Sequence, residues 1–193
     1  MEASGWFVAS YVILWVLVLV LCLVVVALAR QIGTLHMRLG PVGALEMDDE
    51  GPELGSPAIS IPTSDMSGEP VVIGAASQLL MFVSPGCHVC EQVLPSVGAV
   101  AKSGKLAPFV VTDVDAEETV LTFKNKKVAA PVVPGVAIAQ SYEVPGTPYV
   151  VITDTAGAVA AKGTVNNLEQ VEGLIDSAQR RARGGIHHAG QAS

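Results

Sequence analysis

The sequence predicts a small α/β domain joined to a single N-terminal transmembrane helix. Two observations carry this prediction. Residues 7–29 form a 23-residue run without a charge, and residues 70–182 alternate short apolar runs with helical patterns in the order β-α-β-α-β-β-α. At about 1.5 Å per residue, a helix of that length crosses a hydrocarbon core of about 30 Å. Strands that alternate with helices are typical of a sheet covered by helices.

Composition excludes several classes of protein. The 193 residues carry a net charge of −7 and three cysteines. A nucleic-acid-binding face needs clustered basic side chains, and a disulfide-stapled secreted scaffold needs more cysteines. The acidity belongs to residues 46–69, which hold seven acidic and no basic residues. We divide the chain into a short N-terminal flank (1–6), the transmembrane helix (7–29), a juxtamembrane segment with an acidic, extended Pro/Gly-rich linker (30–69), the α/β domain (70–182) and a disordered tail (183–193).

The apolar run is interpreted as a retained single-pass anchor, and the alternative is a cleaved signal peptide. No Lys or Arg precedes the run, and it is longer than the about 7–15 residues usual for a signal peptide's apolar region. Trp6, Tyr11 and Trp15 gather towards one end, as interfacial aromatic residues do. Arg30 and Arg38 follow the run, so the positive-inside rule alone would place the α/β domain in the cytoplasm.

The first elements of the domain are indicated by their apolar patterns. Residues 79–83 are an unbroken apolar run before Ser84-Pro85-Gly86, which is typical of a buried central strand. A helix is predicted from Cys87 to Ser103, ended by Gly104. The later elements are a strand at 109–114, a helix at 116–127 with acidic residues first and lysines last, a short helix at 137–142, a strand at 149–153, a hairpin strand at 158–162 and a last helix at 168–181.

One motif carries chemistry: Cys87-His88-Val89-Cys90 at the junction of a buried strand and a helix. A helix N-terminus offers free N–H groups and a positive dipole end, and both stabilise the thiolate that attacks in disulfide exchange. Cys87, nearer the loop, is predicted to be the exposed nucleophile and Cys90 to resolve the mixed disulfide. A protonated His88 would further favour the thiolate at Cys87. Cys22, inside the apolar run, is interpreted as an apolar filler.

The alternatives to a redox role for the cysteine pair are a zinc site, a haem attachment site, a structural disulfide or two idle thiols. A structural zinc site needs four ligands, usually from two such pairs, and only one pair is present. Haem attachment needs a histidine directly after the second cysteine, where this chain has Glu91. A structural disulfide or two idle thiols stay open as alternatives. The sequence therefore predicts neither a metal site nor a cofactor.

The segment MFVSPGCHVCEQVLP (81–95) resembles the active-site region of the thioredoxin superfamily. Pro95 matches the proline inside the first helix of that family, and residues 144–149 resemble its loop with a cis proline. The resemblance covers about residues 70–182. It implies a thioredoxin-like fold and a cis Thr147–Pro148 bond that faces the cysteine pair. It also implies that Thr147 and Pro148 bind the substrate, because the Thr147 backbone is left free to pair with a bound peptide.

A narrower resemblance extends over nearly the whole chain. Residues 29–33, 35–36, 41–44 and 51–52, together with the membrane-anchored N-terminus, look like those of the MauD family of methylamine utilization proteins. This resemblance implies a role in handling disulfides in the small subunit of methylamine dehydrogenase during its maturation.

Three departures from thioredoxin leave the redox direction open. Met81 occupies the place of the buried acid that helps thioredoxin to deprotonate its resolving cysteine. Gly86 stands where a tryptophan usually precedes the first cysteine, and the dipeptide between the cysteines is His-Val. These differences favour a specialised client over general cytosolic reduction.

The leading hypothesis is a membrane-tethered thiol–disulfide oxidoreductase whose partners are a client protein disulfide or thiol and an electron-transfer protein, either membrane-embedded or soluble. One alternative is a peroxiredoxin-like peroxide reductase, for which Ser84 stands three residues before Cys87. The other is a non-catalytic assembly chaperone. No nucleic-acid partner is expected. Disulfide chemistry favours an extracytoplasmic domain, against the bias of the two arginines.

Overall fold

The computed structural model describes the backbone of residues 3–38 and 50–189 and the side chains of 5–25 and 50–183. Its first compact unit is helix α1 (Ala3–Arg38). Within α1, the 21 residues Gly5–Val25 have a mean hydropathy of 3.0 and are long and apolar enough to cross a membrane, by length and composition. The family-like residues 41–44 lie outside the described part of the chain.

The second unit is built on a five-stranded mixed sheet. Its strands are β3 (Gln78–Val83), β4 (Ala107–Thr112), β5 (Val132–Pro134), β6 (Tyr149–Thr153) and β7 (Val159–Thr164). The central strand β3 is buried at all six residues, as predicted from its unbroken apolar run. Strands β3, β4 and β5 are parallel to one another, β6 runs antiparallel to its neighbour β3, and β7 runs antiparallel to β6. The order is β5-β4-β3-β6-β7.

Helices cover both faces of this sheet. The helices are α2 (His88–Ser103), α3 (Ala116–Phe123), α4 (Val136–Ser141) and α5 (Leu168–Ala189). Val93 and Val97 of α2 and Leu174 of α5 pack on one face of the sheet, and Ile138 of α4 packs in the cluster on the other face. Helix α2 ends as predicted at Gly104, whose φ of +64° suits glycine and whose N–H donates to Ala101 O. Helix α3 ends at Phe123, earlier than predicted.

The last helix is longer than predicted. It runs to Ala189, so the predicted end at Arg181 is wrong, and so is the predicted disorder for 183–189. Alanine and arginine at 180–183 are strong helix formers, and a glycine costs a helix only about 1 kcal/mol relative to alanine. Residues 190–193 lie outside the described part of the chain.

The predicted acidic linker is wrong for residues 50–69, which belong to the folded unit. Strands β1 (Ile61–Ser64) and β2 (Pro70–Ile73) form an antiparallel pair. The turn between them is closed by Asp65, whose carboxylate accepts hydrogen bonds from the N–H groups of Ser67 and Glu69 at 2.8 and 3.0 Å. An acidic residue in this stretch therefore serves a turn instead of keeping the chain extended.

Residues 50–61 are held against the sheet by apolar side chains and by backbone hydrogen bonds. Leu54, Ala58 and Ile61 pack against the cluster of buried residues that includes Leu80 and Phe82. The N–H of residue 55 donates to the carbonyl of residue 159 at 2.8 Å, and the N–H of residue 58 donates to the carbonyl of residue 157 at 2.9 Å. The burial of apolar side chains, which outweighs the prolines and charges around them, is the reason why this stretch is ordered.

Candidate functional site

Cys87 occupies the N-cap position of α2, one residue before the helix begins. Its φ and ψ of −74° and 108° are extended. The backbone N–H of Cys90 donates to the Cys87 Sγ at 3.2 Å, and the N–H of Cys87 donates to Ser84 O at 3.3 Å. A sulfur at this position faces the positive end of the helix dipole, which stabilises negative charge there. Cys87 is half-buried and therefore open to an incoming sulfur.

Cys90 differs from Cys87 in both exposure and acidity. It is only 2% exposed and belongs to the main core cluster. Burial, followed by the hydrogen bond with Cys87, raises the pKa of the Cys90 thiol to about 11. Hydrogen bonds from the Ser84 backbone and the Thr147 side chain act in the opposite direction and limit the rise of this pKa. The two thiols are thus an accessible sulfur and a shielded one.

The Thr147–Pro148 segment lies beside the cysteine pair, as the thioredoxin resemblance implies. Its peptide bond is cis. The Cys87 Sγ is 4.0 Å from Thr147 O, in a geometry where the thiol donates to this carbonyl. Pro148 is buried at the start of β6, whereas Thr147 is half-buried. The structure therefore brings together Cys87, Cys90, Thr147 and Pro148, although the two pairs are about 60 residues apart in the sequence.

His88 is exposed on the first turn of α2. Its Nε2 lies 3.0 Å from the Nε2 of Gln92, one turn further along the helix. Glu91 forms a 2.7 Å ion pair with Lys126. The hydrogen bond and the charge of Lys126, with a smaller contribution from His88, hold the pKa of the Glu91 carboxyl below its ordinary value. The charge of His88 thus acts on Glu91, and its expected effect on Cys87 stays a prediction.

A row of hydroxyl groups beside the cysteines was missed by sequence reasoning. Thr147 Oγ1 donates to Ser84 Oγ at 2.9 Å, and Ser84 Oγ donates in turn to Asp113 Oδ2. The sequence does contain a signal for the Ser84–Asp113 contact. Parallel β3 and β4 end side by side, so the residues that follow them, Ser84 and Asp113, become neighbours.

Within the side chains described, no group of three or more His, Cys, Asp or Glu is placed to hold a metal ion.

The pKa of Cys90 leads to a prediction about pH. In the reduced chain we expect this thiol to ionise with a midpoint near pH 11, because burial favours its neutral form. An unfolded chain ionises its cysteine near 9.0, so the shift stabilises the folded state below pH 9 and this contribution is lost between pH 9 and about 11. An NMR titration of cysteine-labelled chain measures the midpoint, and a midpoint below pH 9 would contradict the burial argument.

Similar proteins were found among known sequences. The chain is 34% identical to the methylamine utilization protein MauD of Paracoccus versutus over 174 residues, which is 88% of each chain. It is 36% identical to the MauD of Methylobacillus flagellatus over 182 residues, which is 90% of this chain and 87% of the relative. No family model matches the chain.

Solved structures confirm the predicted thioredoxin-like fold. A thio-disulfide isomerase from Thermus thermophilus has a TM-score of 0.52 at 20% identity and covers 67% of this chain and 97% of its own. A thiol:disulfide interchange protein of the thioredoxin family from Chlorobium tepidum has a TM-score of 0.50 at 16% identity, with coverages of 66% and 99%.

Proposed function

Because this chain belongs to the MauD family of methylamine utilization proteins, we propose that it is a membrane-anchored thiol–disulfide oxidoreductase that acts on disulfides of a client protein. The observation that carries the proposal is the unequal cysteine pair: Cys87 caps α2 and is accessible, whereas Cys90 is buried behind it. Disulfide exchange needs an attacking thiolate that a partner can reach and a second thiol that completes the reaction inside the protein.

The proposed reaction has two steps. The Cys87 thiolate attacks one sulfur of the client disulfide, so that a Cys87–client bond forms and the client's other sulfur leaves as a thiolate. The Cys90 thiolate then attacks Cys87 Sγ, which forms the Cys87–Cys90 disulfide and releases the second client thiolate. The client is reduced by two electrons and the cysteine pair is oxidised. The reverse sequence oxidises a dithiol client with the same atoms.

Thr147 and Pro148 are proposed to bind the client. A client strand that pairs with the backbone of Thr147 would place its sulfur beside Cys87, since the Thr147 carbonyl lies 4.0 Å from the Cys87 Sγ. Pro148, directly before β6, is buried. His88, exposed on the first turn of α2, is proposed to add positive charge near Cys87 when it is protonated.

The proposed client is the small subunit of methylamine dehydrogenase, during maturation of that enzyme. Family membership supports this assignment, since the relatives are named for methylamine utilization. In a strain that is grown on another carbon source, exposed to methylamine and carries a Cys87→Ser, Cys90→Ser chain, we expect mispaired or reduced small-subunit cysteines and loss of dehydrogenase activity. Normal maturation with this double variant would favour the non-catalytic chaperone instead.

The peroxide-reductase alternative is not favoured. It rests on Ser84, whose hydroxyl is engaged with Asp113 and Thr147. The Thr147 carbonyl beside Cys87 suits a protein strand, because strand pairing uses backbone carbonyl groups.

The catalytic domain is proposed to lie outside the cytoplasm, anchored by the Gly5–Val25 segment, because disulfides persist in that compartment. In cells that carry Cys90→Ser, a membrane-impermeant thiol reagent is expected to label Cys87 without permeabilisation. The matched control is the Cys87→Ser, Cys90→Ser chain, which keeps only Cys22. Labelling of Cys87 only after permeabilisation would place the domain in the cytoplasm.

A further inference from the structure

The buried Cys90 thiol needs a route by which its proton can leave. At 2% exposure it has little contact with water, and its pKa of about 11 keeps it neutral at ordinary pH. In the sheet behind it, Met81 is a fully buried apolar side chain that cannot accept a proton. Thr147, whose carbonyl lies 4.0 Å from the Cys87 Sγ, faces the cysteine pair, and its side chain acts to lower the pKa of the Cys90 thiol against the larger effect of burial.

The hydroxyl groups of Thr147 and Ser84 lead from the cysteine pair to a surface carboxylate. Thr147 Oγ1 donates to Ser84 Oγ at 2.9 Å, and Ser84 Oγ donates to Asp113 Oδ2. Exposure increases along the row, from buried Cys90 through half-buried Thr147 and Ser84 to exposed Asp113. A hydroxyl group can accept one proton while it donates its own, so each member can pass a proton to the next.

The members of this row come from three places in the fold: the end of β3, the end of β4 and the loop before β6. Val83 and Thr112 are partners in the parallel β3–β4 register, so the residues that follow them leave the sheet together. The N–H of Asp113 donates to Val83 O at 3.2 Å, which secures this neighbourhood. Thr147 approaches from the loop before β6. The carboxylate is therefore held beside the active-site strand by the sheet itself.

We propose that Asp113 accepts the proton of Cys90 through Ser84 and Thr147 during the resolving step. This inference rests on the proposed function, in which Cys90 attacks the mixed disulfide at Cys87. The Cys90 proton passes to Thr147 Oγ1, the Thr147 proton to Ser84 Oγ, and the Ser84 proton to Asp113. Cys90 is left as the thiolate that attacks Cys87 Sγ, and Asp113 gives the proton to water. In the reverse direction the leaving Cys90 thiolate takes the proton back.

Other titratable groups near this row have different partners. Cys87, which faces Cys90, is in the mixed disulfide when the proton must leave. On α2, His88 contacts Gln92, and Glu91 is paired with Lys126. On the loop after β4, the carboxylate of Asp115 accepts from the N–H of Glu118 and caps α3. Among these groups, Asp113 is the carboxylate that hydrogen-bonds to the row.

The test follows both thiols of the full chain in detergent, with Cys22→Ala as the parent so that two cysteines remain. Reduced protein is mixed with an excess of dipyridyl disulfide, and pyridinethione release is recorded by stopped flow. The first release reports attack by Cys87 and depends on reagent concentration. The second release reports attack by Cys90 on the mixed disulfide, and its rate does not depend on reagent concentration. Asp113→Asn and Ser84→Ala are compared with the parent from neutral pH to about pH 11, the pKa of Cys90.

We expect Asp113→Asn to slow the second release at neutral pH by about a hundredfold, the lower end of the range for general-base catalysis, and to leave the first within about twofold. Near pH 11 hydroxide can take the proton directly, so the difference should disappear. Ser84→Ala, which interrupts the row without a change in charge, should have the same effect, and adding Asp113→Asn to it should slow the reaction no further. Asp176→Asn, an exposed substitution on α5, is the matched control and should react like the parent.

A second release that stays within about twofold of the parent in both variants would overturn the proposal, because a relay of this kind contributes more. A slowing of the same size at every pH would also overturn it, since that result indicates a distorted site. A parent chain that shows the first release and never the second contradicts the proposed function itself, and this inference with it. The two failures are therefore distinguished by the parent alone.

Discussion

A full-length chain with Cys90→Ser is expected to accumulate a covalent mixed disulfide through Cys87, whereas a chain with Cys87→Ser forms none. The accessible Cys87 can still attack in the first variant, but nothing releases the product. In the second variant the remaining thiol is only 2% exposed and has a pKa of about 11, so it is both shielded and neutral. Both variants should lose turnover by at least about a thousandfold, because the two residues act as a unit.

Non-reducing gels and mass spectrometry measure these adducts directly. Each chain carries Cys22→Ala and is incubated with oxidised glutathione or with a purified client disulfide. The matched control is Ser103→Ala, which changes a serine at the far end of α2. A stable adduct on Cys90 in the Cys87→Ser chain, at the level seen on Cys87 in the other, would reverse the roles assigned to the two cysteines.

Gly74→Ala is expected to lower the free energy of unfolding by about 3 kcal/mol or more. Gly74 has a φ of +82°, and a Cβ at this position would overlap the carbonyl of Ile59 and the hydroxyl of Tyr142. That carbonyl accepts a hydrogen bond from Tyr142 OH at 2.8 Å. The substitution therefore adds backbone strain, displaces residues 57–61 and disturbs a hydrogen bond to a fully buried tyrosine.

Gly68→Ala is the matched control for this prediction. Gly68 has nearly the same φ, +87°, but open space where its Cβ would stand. Gly68→Ala should lower the free energy of unfolding only by the cost of a left-handed backbone conformation, about 1–2 kcal/mol. Both tryptophans lie in α1, so pulse proteolysis in urea is a better probe of the domain than fluorescence. An equal decrease in the free energy of unfolding in the two variants would show that the 50–61 segment does not pack on the sheet.

The central part of the fold could be predicted from sequence because its signals are local. The unbroken apolar run of β3, the cap and terminal glycine of α2, and the Thr-Pro motif each lie within a few neighbouring residues. The structure confirms β3, the extent of α2 and the place of the cysteine pair beside Thr147. The chemistry of a helix N-terminus is enough to distinguish, in the sequence, an accessible Cys87 from a shielded Cys90.

The elements that were missed depend on distant contacts. Residues 50–61 read as a linker because prolines and acidic residues surround their apolar side chains, and their partners lie on β7 and at Tyr142, about 80 or more residues away. Strand β5 has three residues and includes Pro134. A proline is tolerated there because β5 is at the edge of the sheet. The row from Thr147 through Ser84 to Asp113 joins residues that are 63 and 29 positions apart.

The most direct test of the central claim is the redox equilibrium of Cys87 and Cys90 in glutathione buffers. The full chain with Cys22→Ala is equilibrated at a series of ratios of reduced to oxidised glutathione, quenched with an alkylating reagent and analysed by mass spectrometry. We expect one two-electron transition in which both cysteines leave the alkylated pool together and form a bond with each other. Two thiols that stay alkylated at every ratio, or that form separate glutathione adducts, would contradict it.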